Sequence, residues 1–473
     1  MDTIWFADLS EALSSARGPK YTRLAEALRR AIETGALAPG DKLPPVRDLA
    51  YRVSVTPGTV ARAYTRLTDA GLLETGVGRG TFVAQKAAPP RPIPVPEVDS
   101  VLHKSGGDPH EVNLISPHLP NVGQAALIRG TLMEIASNPP SGVMHYPGHL
   151  TGHAAREGVV DYLSNVTLGR LGPEDVVLSH GAQSGILLVM QSVLSGRRPV
   201  VLVEELAYPG YRRAAELLRA EVVPVPMDDQ GVRPDALIEI ARQTDAQLLC
   251  LSTEVQNPLL IAMSAARRLE IVEAARRVNL HLLEDDTYRL GAVSGPGLRA
   301  LAPERGWYVS SLSKTLSPAL RFGYVVAPDG WAQSTRRAAE AGFFGLATPI
   351  TDLVAAVLAH PALPQMQEDL RKEVGCYVRA MVNKLGRFDL RWREDALFVW
   401  LSLPPGWRAS AFARAAEAEG VQIRTAEDYA DRNGRAPHAI RLAVNGGVSR
   451  KSFDNALERL RGLLDHPPER IAV

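Results

Sequence analysis

The chain has 473 residues, 45% of them hydrophobic and 22% charged, which is a globular composition and enough length for two or three domains. A net charge of +1 excludes a strong overall field toward nucleic acid or membrane, so any DNA contact must come from a local surface. Cys250 and Cys376 have no CxxC partner, which disfavours a disulfide framework or a cysteine zinc site and fits a reducing cytoplasm. We expect no signal peptide and no membrane span.

A proline-rich stretch divides the chain. The segment AQKAAPPRPIPVPEVDS, residues 84–100, holds five prolines between Pro89 and Pro96. Proline lacks the amide donor of helix and sheet and favours extended geometry, so this segment reads as a semi-rigid spacer. We therefore predict a folded unit over residues 15–84, a linker over 85–112 and a second unit over 113–473.

The first unit has the pattern of three helices followed by a β-hairpin. Apolar residues repeat at helical spacing from Leu24 to Ile32, from Val46 to Val53 and from Val60 to Leu67. Thr56-Pro57 is typical of an N-cap followed by proline at the first helical position of the third helix. The segments LLET and GTFVA then predict two short strands joined by GVGRG.

The polar face of the third helix indicates a DNA-reading surface. Short polar residues at a helix N-terminus can approach phosphates and base edges, and arginine can bond guanine in bidentate fashion. Residues 20–84 hold ten basic against six acidic side chains. The candidate DNA-binding residues are Arg47, Thr56, Gly58, Thr59, Arg62, Arg66, Arg79 and Gly80.

The alternative for these helices is a protein-interaction module with a solvated charged face. The order of parts favours DNA, because LPPVRDLA, VTPGTVARAYTRLTDAGLL and GRGTFV resemble the winged helix-turn-helix domain of GntR-type bacterial regulators. GVGRG also suggests a phosphate-binding loop, but it lacks the GK[ST] ending and a strand follows it.

After the linker, apolar strand-like runs alternate with helical ones. VVLSH, PVVLVEE, AQLLCLS, LHLLEDD and RGWYVSS are runs of this kind. The alternation predicts a mostly parallel α/β sheet, and the last hundred-odd residues predict a smaller α+β lobe.

Several of these runs end in residues that suit pyridoxal phosphate, which needs a lysine for its aldehyde, a carboxylate for its ring nitrogen, donors for its ring oxygen and an anion cradle for its phosphate. Lys314 is the candidate Schiff-base lysine, and Asp285 is the candidate carboxylate. The other candidate cofactor-binding residues are Ala182, Gln183, Tyr208, Asn257, Tyr288, Ser311, Ser313 and Arg321.

The order GAQ, YPGY, QNP, EDDTY and SLSK, with an arginine seven residues after the lysine, resembles fold type I, class I aminotransferases over some 360 residues. The resemblance assigns Arg441, in AIRLAV, to the arginine that grips a substrate carboxylate. It also assigns Tyr146, in HYPGHLTG, to a tyrosine that reaches the phosphate of the neighbouring subunit. The family's NPTG reads NPLL here, which favours cofactor binding over substrate turnover.

A winged helix-turn-helix joined to an aminotransferase-like domain resembles the MocR-like branch of the GntR regulators. The resemblance implies a cytoplasmic homodimer that binds pyridoxal 5'-phosphate on Lys314 and double-stranded DNA through paired winged helices. It implies that an amino acid or amine effector forms an external aldimine with the cofactor and thereby changes operator binding, at genes of amino-acid, amine or vitamin B6 metabolism.

Two other interpretations of the whole chain stay open at this stage. A working aminotransferase with an accessory DNA domain would use the same Lys314, Asp285 and Arg441. A DNA-binding scaffold with a vestigial cofactor site would bind no cofactor. His145, His149 and His153 are spaced like helix-borne metal ligands, but Pro147, Gly148 and Gly152 interrupt any helix there, so we predict no metal site.

Overall fold

The computed structural model describes residue 13, residues 19–76, 80–84, 111–141, 144, 146–147, 151–431 and 434–467. The chain forms two compact units, Met1–His103 and Lys104–Val473. Most of the predicted linker, residues 85–110, lies outside the described residues, so its boundaries stay predictions.

Between residues 19 and 84, the described part of the first unit contains three helices and a two-stranded antiparallel sheet. The helices are α1 (Lys20–Glu33), α2 (Val46–Arg52) and α3 (Pro57–Asp69), and the strands are β1 (Leu73–Gly76) and β2 (Gly80–Val83). Leu24, Leu28, Leu49, Val60 and Leu67 are at most 2% exposed and form its core with their neighbours. This is the predicted winged helix-turn-helix arrangement.

The start of α3 differs from the prediction in one detail. Pro57 is the first helical residue and Thr56 occupies the N-cap position, as expected. The Thr56 side chain, however, makes no capping bond to a backbone amide; its hydroxyl instead pairs with the hydroxyl of Thr59 at 2.9 Å. The Thr59 amide donates to the Thr56 carbonyl at 2.9 Å, so the backbone of Thr56 accepts the bond that its side chain does not.

The second unit is an α/β structure with a smaller lobe. Its helices are α4 (Gln124–Ser137), α5 (His153–Tyr162), α6 (Gly181–Val193), α7 (Pro209–Leu217), α8 (Pro234–Thr244), α9 (Ala265–Arg277), α10 (Leu298–Leu301), α11 (Ala332–Phe343), α12 (Thr348–Leu358), α13 (Leu363–Leu385), α14 (Ala409–Ala418) and α15 (Arg450–Asp465). None of the helices in the described part of the chain is long and apolar enough to cross a membrane.

The strands of the second unit alternate with these helices. In chain order they are β3 (Val112–Asn113), β4 (Val176–Ser179), β5 (Val200–Glu204), β6 (Glu221–Val225), β7 (Met227–Asp228), β8 (Gly231–Val232), β9 (Leu248–Leu251), β10 (His281–Asp285), β11 (Gly306–Ser311), β12 (Gly323–Val326), β13 (Leu390–Arg391), β14 (Phe398–Ser402), β15 (Val421–Gln422), β16 (Arg424–Thr425) and β17 (Ala439–Ala443).

The central sheet has seven strands in the order β4-β12-β11-β10-β9-β5-β6. All neighbours are parallel except β12, which runs antiparallel to β11 and β4. Helices cover both faces of this sheet. Alternate residues of β9 show this: Leu248 and Cys250 pack in one apolar cluster, and Leu249 and Leu251 pack in another.

The smaller lobe has a four-stranded sheet in the order β13-β14-β17-β16. The remaining strands form two small pairs, β3 with β15 and β7 with β8. Helices α13, α14 and α15 pack on the lobe through Val378, Phe412 and Leu457. The predicted α/β sheet and smaller α+β lobe are both present.

A buried ion network lies behind the central sheet. Arg268 is fully buried and donates to Glu254 Oε1 at 2.8 Å and Ser294 Oγ at 2.7 Å. Its Nη1 lies 3.8 Å from Oε1 of Glu284, whose pKa burial raises to about 7. The buried carboxylates of Glu254 and Glu284 therefore share the positive charge of Arg268.

We expect Arg268→Met to lower the free energy of unfolding of the second unit by about 3–5 kcal/mol, because Glu254 and Glu284 would stay buried without their cation. Urea unfolding followed by tryptophan fluorescence measures the change. As a control, Arg277→Met removes an exposed ion pair with Glu273 and should change stability by no more than about 1 kcal/mol. Equal effects of the two substitutions would contradict this role of Arg268.

Candidate functional site

The carboxyl ends of four neighbouring strands bring the predicted site residues together. Asp285 is the last residue of β10, and Lys314 follows the end of β11 by three residues. Asn257 follows β9, and Tyr208 follows β5. Because β11, β10, β9 and β5 are adjacent in that order, these side chains meet at one edge of the sheet.

The amine of Lys314 lies beside Tyr288. Its Nζ is 5.5 Å from the centre of the Tyr288 ring, and both residues are half-buried. Burial alone would raise the pKa of Tyr288, but the positive charges of Lys314 and Arg441 outweigh it and lower that pKa. The Tyr288 phenol beside this lysine is therefore more acidic than an ordinary tyrosine.

Asp285 is a half-buried carboxylate at the end of an apolar strand. Burial raises the pKa of Asp285 to about 6, although a hydrogen bond from the Thr287 amide at 3.0 Å opposes the rise. The hydroxyl of Tyr211 lies 3.4 Å from its Oδ2 and donates to it. A cationic group at this end of the site would keep Asp285 ionised.

The N-terminus of α6 forms an anion cradle with the segment that follows Lys314. Gly181, which has a φ of +74°, leaves room for Arg321, whose Nη2 would lie 2.8 Å from a Cβ at that position. Arg321 Nη2 donates to the carbonyl of His180 at 3.3 Å. Ala182 and Gln183 follow in the first turn of α6, and the Gln183 side chain donates to the Gly210 carbonyl at 2.9 Å.

Ser311 and Ser313 are buried on the Lys314 side of this cradle. Two serines, a helix N-terminus and an arginine are donors suited to a phosphate. With Lys314 beside Tyr288, and with the Asp285 carboxylate at the end of the neighbouring strand, the residues present fit pyridoxal phosphate at its aldehyde, ring-nitrogen and phosphate ends.

Arg441 joins the two sheets of this unit. It lies on β17, is 2% exposed, and donates from Nη1 to Asn257 Oδ1 at 2.9 Å and from Nη2 to the Ile115 carbonyl at 2.6 Å. Its guanidinium carbon lies 4.8 Å from the centre of the Phe398 ring. The predicted carboxylate-binding arginine thus reaches Asn257 from the other lobe.

The two remaining predicted tyrosines, Tyr208 and Tyr146, differ in their exposure. Tyr208 is half-buried at the N-cap of α7, with its ring edge-on to Tyr211 at 5.7 Å. Tyr146 is not gathered with these residues: it is 86% exposed, and its ring lies 6.2 Å from that of Phe344. Sequence reasoning missed Tyr211, although the second tyrosine of YPGY, one helical turn after the first, was the available signal.

Most of the candidate DNA-binding residues on the first unit are exposed to solvent. Arg47, Thr56, Gly58, Arg62, Arg66 and Gly80 are exposed and Thr59 is half-buried, whereas Arg79 lies outside the described residues. A Cβ at Gly58 would meet nothing within 4 Å, so the first turn of α3 presents bare backbone. Arg66 also lies 3.5 Å from the Thr22 hydroxyl.

The described residues contain no group of three or more His, Cys, Asp or Glu side chains arranged to hold a metal ion. His153 opens α5 and lies 3.2 Å from Glu157. His145 and His149 lie outside the described residues.

Two known families match the chain, one in each of its two compact units. Residues 127–460 match the family "Aminotransferase class I and II", and residues 20–83 match "Bacterial regulatory proteins, gntR family". The first match covers more than half of the chain.

The curated relatives of the chain include several HTH-type transcriptional regulators. The chain is 26% identical to the uncharacterized HTH-type transcriptional regulator YdeF of Bacillus subtilis over 491 aligned residues, which cover 96% of each chain. It is 31% identical to the HTH-type pyridoxine biosynthesis transcriptional regulator PdxR of Corynebacterium glutamicum, over 65% of this chain and 66% of the relative. It is 28% identical to the HTH-type transcriptional regulator TauR of Rhodobacter capsulatus, over 86% and 81%.

Solved structures confirm the fold of the second unit. LysN, the α-aminoadipate aminotransferase of Thermus thermophilus, superposes with a TM-score of 0.67 at 23% identity, covering 75% of this chain and 92% of LysN. The Pyrococcus horikoshii kynurenine aminotransferase gives 0.67 at 21%, covering 76% and 92%. The chain therefore belongs to the aminotransferase class I and II family and, with its GntR-type domain, to the MocR-like transcription regulators, whose cofactor is pyridoxal 5'-phosphate.

Proposed function

We propose that this regulator senses an amino acid or amine at Lys314 and changes its binding to a double-stranded DNA operator in response. One observation carries the proposal. Arg441, positioned to bind an effector carboxylate, also holds the carbonyl of Ile115, which lies just after the linker to the DNA-binding unit. Arg441 would thus connect effector binding to the segment that follows the linker.

The chain supplies the groups that would bind such an effector. The bound cofactor supplies an aldehyde that reacts reversibly with amines. Lys314 would provide the resident amine, Asp285 would hold the ring nitrogen, and the α6 cradle with Arg321 would hold the phosphate. Tyr288 could donate a proton to the Lys314 amine, and Arg441 would orient the effector through its carboxylate.

Hydrogen bonds to the backbone connect the smaller lobe with the segment that follows the linker. Val112 and Asn113 form β3, which pairs with β15 of the smaller lobe, and the Asn445 side chain donates to the Asn113 carbonyl at 2.8 Å. An effector that draws Arg441 toward its own carboxylate competes with the bond to Ile115. This competition gives two arrangements of the segment, and an effector that favours one of them shifts their balance.

A homodimer forms part of the proposal. The exposed rings of Tyr146 and Phe344 lie 6.2 Å apart and form a small apolar patch, which we take as a candidate contact with the second copy. Tyr146 would reach the phosphate cradle of a second copy, which explains its distance from the cradle of its own chain. Two copies would also pair the DNA-binding units for a two-fold symmetric operator.

We infer a cytoplasmic location, where a regulator meets chromosomal DNA. The printed name of PdxR refers to pyridoxine biosynthesis, so genes of vitamin B6, amino-acid or amine metabolism are the proposed targets.

A second candidate function is transamination. Lys314, Asp285 and Arg441, which a transaminase would use, are all present in the chain. Product formed continuously with a keto-acid acceptor would establish this activity, whereas an effector response without turnover fits regulation alone.

Lys314→Ala should leave DNA affinity in the absence of effector within about twofold of the native value and abolish its change on adding an effector, because the resident amine is lost. Fluorescence anisotropy of an operator selected from random duplexes measures both. A Lys314→Ala protein that still responds at native effector concentrations would contradict the proposed sensing site.

Arg62→Ala should weaken DNA binding by about 1–3 kcal/mol if Arg62 reads a base, and the loss should depend on the sequence bound. Gly58→Ala should also weaken binding, by adding a methyl group where backbone approaches DNA, while leaving the fold intact because that methyl group has free space. Arg242→Ala, an exposed change on α8, is the control. Native affinity in both test variants would exclude this face of α3 as the DNA surface.

A further inference from the structure

A backbone bridge joins the segment between α1 and α2 to the hairpin of the first unit. Lys42, in that segment, forms an isolated antiparallel bridge with Phe82 of β2. The next amide, that of Leu43, donates to the carbonyl of Thr81 at 2.8 Å. Lys42 therefore lies along the edge of β2, although it precedes that strand by about forty residues in the sequence.

The Lys42 side chain runs along β2 toward the first residue of that strand. Residues opposite each other in an antiparallel pair project from the same face. In agreement, the Nζ of Lys42 lies 5.8 Å from the centre of the Phe82 ring. A Cβ at Gly80 would lie 3.0 Å from Cε and 3.7 Å from Nζ of Lys42. The lysine thus brings its charge to the end of β2 that is nearer the turn of the hairpin.

Gly80 leaves room for this lysine. Its φ is +112°, a conformation that residues with a Cβ rarely adopt, and a Cβ there would come closer to Lys42 Cε than ordinary van der Waals contact allows. The sequence predicts Gly80 as a DNA-binding residue on its own account. The structure gives it a second role, because its missing side chain lets Lys42 lie beside the hairpin.

Neighbouring acids offset the charge of Lys42 only weakly. Lys42 is exposed. The carboxylate of Asp41 accepts a hydrogen bond from the Ala38 amide at 2.8 Å. Glu74 shares the face of Lys42, but it pairs with Phe82 from the other side, so two strand spacings, about 9–10 Å, separate the two backbones. Salt at 0.1 M screens exposed charges over about 10 Å, which leaves the Lys42 ammonium largely free to attract another anion.

We propose that Lys42 is a further DNA-binding residue of the first unit and that it contacts a backbone phosphate beside the hairpin. A lysine ammonium binds phosphate as a point charge and reads no sequence. Packing against Phe82 restricts the side chain in advance, so less conformational entropy is lost on binding. This inference rests on the proposed function, because the hairpin must approach DNA. The competing explanation is that Lys42 only packs on Phe82 and steadies the hairpin.

The test compares Lys42→Met, which keeps an apolar chain over Phe82 but removes the charge, with Lys42→Arg, which keeps the charge. Fluorescence anisotropy of the cofactor-loaded full-length protein would be measured on a selected operator and on an unrelated duplex, between 50 and 200 mM salt. Lys42→Met should weaken binding to both duplexes by the same factor, roughly threefold or more at the lower salt. The slope of log K against log salt should fall by about 0.9 for each bound subunit.

Two further variants complete the comparison. Lys42→Arg should keep the native slope. Lys451→Met removes an exposed lysine from α15 of the second unit and is the matched control, so it should also keep the native slope.

Four outcomes separate the claims. A Lys42→Met protein with native affinity and native slope overturns this inference and leaves DNA binding by α3 standing. Lower affinity with a native slope also overturns it, because the lysine then steadies the hairpin without neutralising a phosphate. A native protein that binds neither duplex contradicts the proposed function and this inference together. If Lys42→Met does not fold, a reduced slope in Lys42→Gln supports the inference and a native slope overturns it.

Discussion

The hydrogen bond from Arg441 to Asn257 joins the seven-stranded sheet to the sheet of the smaller lobe, and the proposed effector site would depend on it. Lys314, Asp285 and Asn257 follow or end strands of one sheet, whereas Arg441 belongs to the other. A ligand that touches both Lys314 and Arg441 must bridge the lobes. Under the proposed function, occupancy of this small site would favour one lobe arrangement over another, without a large ligand or a large buried surface.

The charges of the site follow from its place at the strand ends. Asp285 is a half-buried acid whose pKa is about 6, and it gains a partner when a cationic ring nitrogen is bound. At the opposite end, Arg441 is a buried cation held by the amide of Asn257 and the carbonyl of Ile115. Asp285 and Arg441 both lose contact with water on folding. A cationic group bound at Asp285 and an anionic group bound at Arg441 would restore favourable interactions, so the site suits zwitterionic molecules.

Much of this arrangement could be predicted from sequence, because its signals are local. Buried strands are apolar runs, and the residues that end them, such as Asp285 and Lys314, fall at one sheet edge in any parallel sheet. The apolar stripe of α3, from Val60 to Leu67, is also a local pattern and could be predicted from the sequence.

Contacts between distant segments could not be predicted. The Arg441 bond to the Ile115 carbonyl spans 326 residues and involves a backbone atom, which leaves no side-chain pattern. Arg424 faces Arg441 only through the register of the two-residue strand β16, too short to show a period. The Thr56 hydroxyl pairs with Thr59 rather than a backbone amide, a choice between acceptors that spacing alone does not decide.

The central claim is that one chemical event at Lys314 controls DNA binding, and the most direct measurement follows both in the same sample. The cofactor-loaded protein with a labelled operator would be titrated with amino acids and amines while visible absorption and DNA anisotropy are recorded together. The account predicts that one ligand class shifts the absorption band stably and changes anisotropy over the same concentration range. A colourless protein, or a band that shifts while DNA binding stays constant, would contradict it.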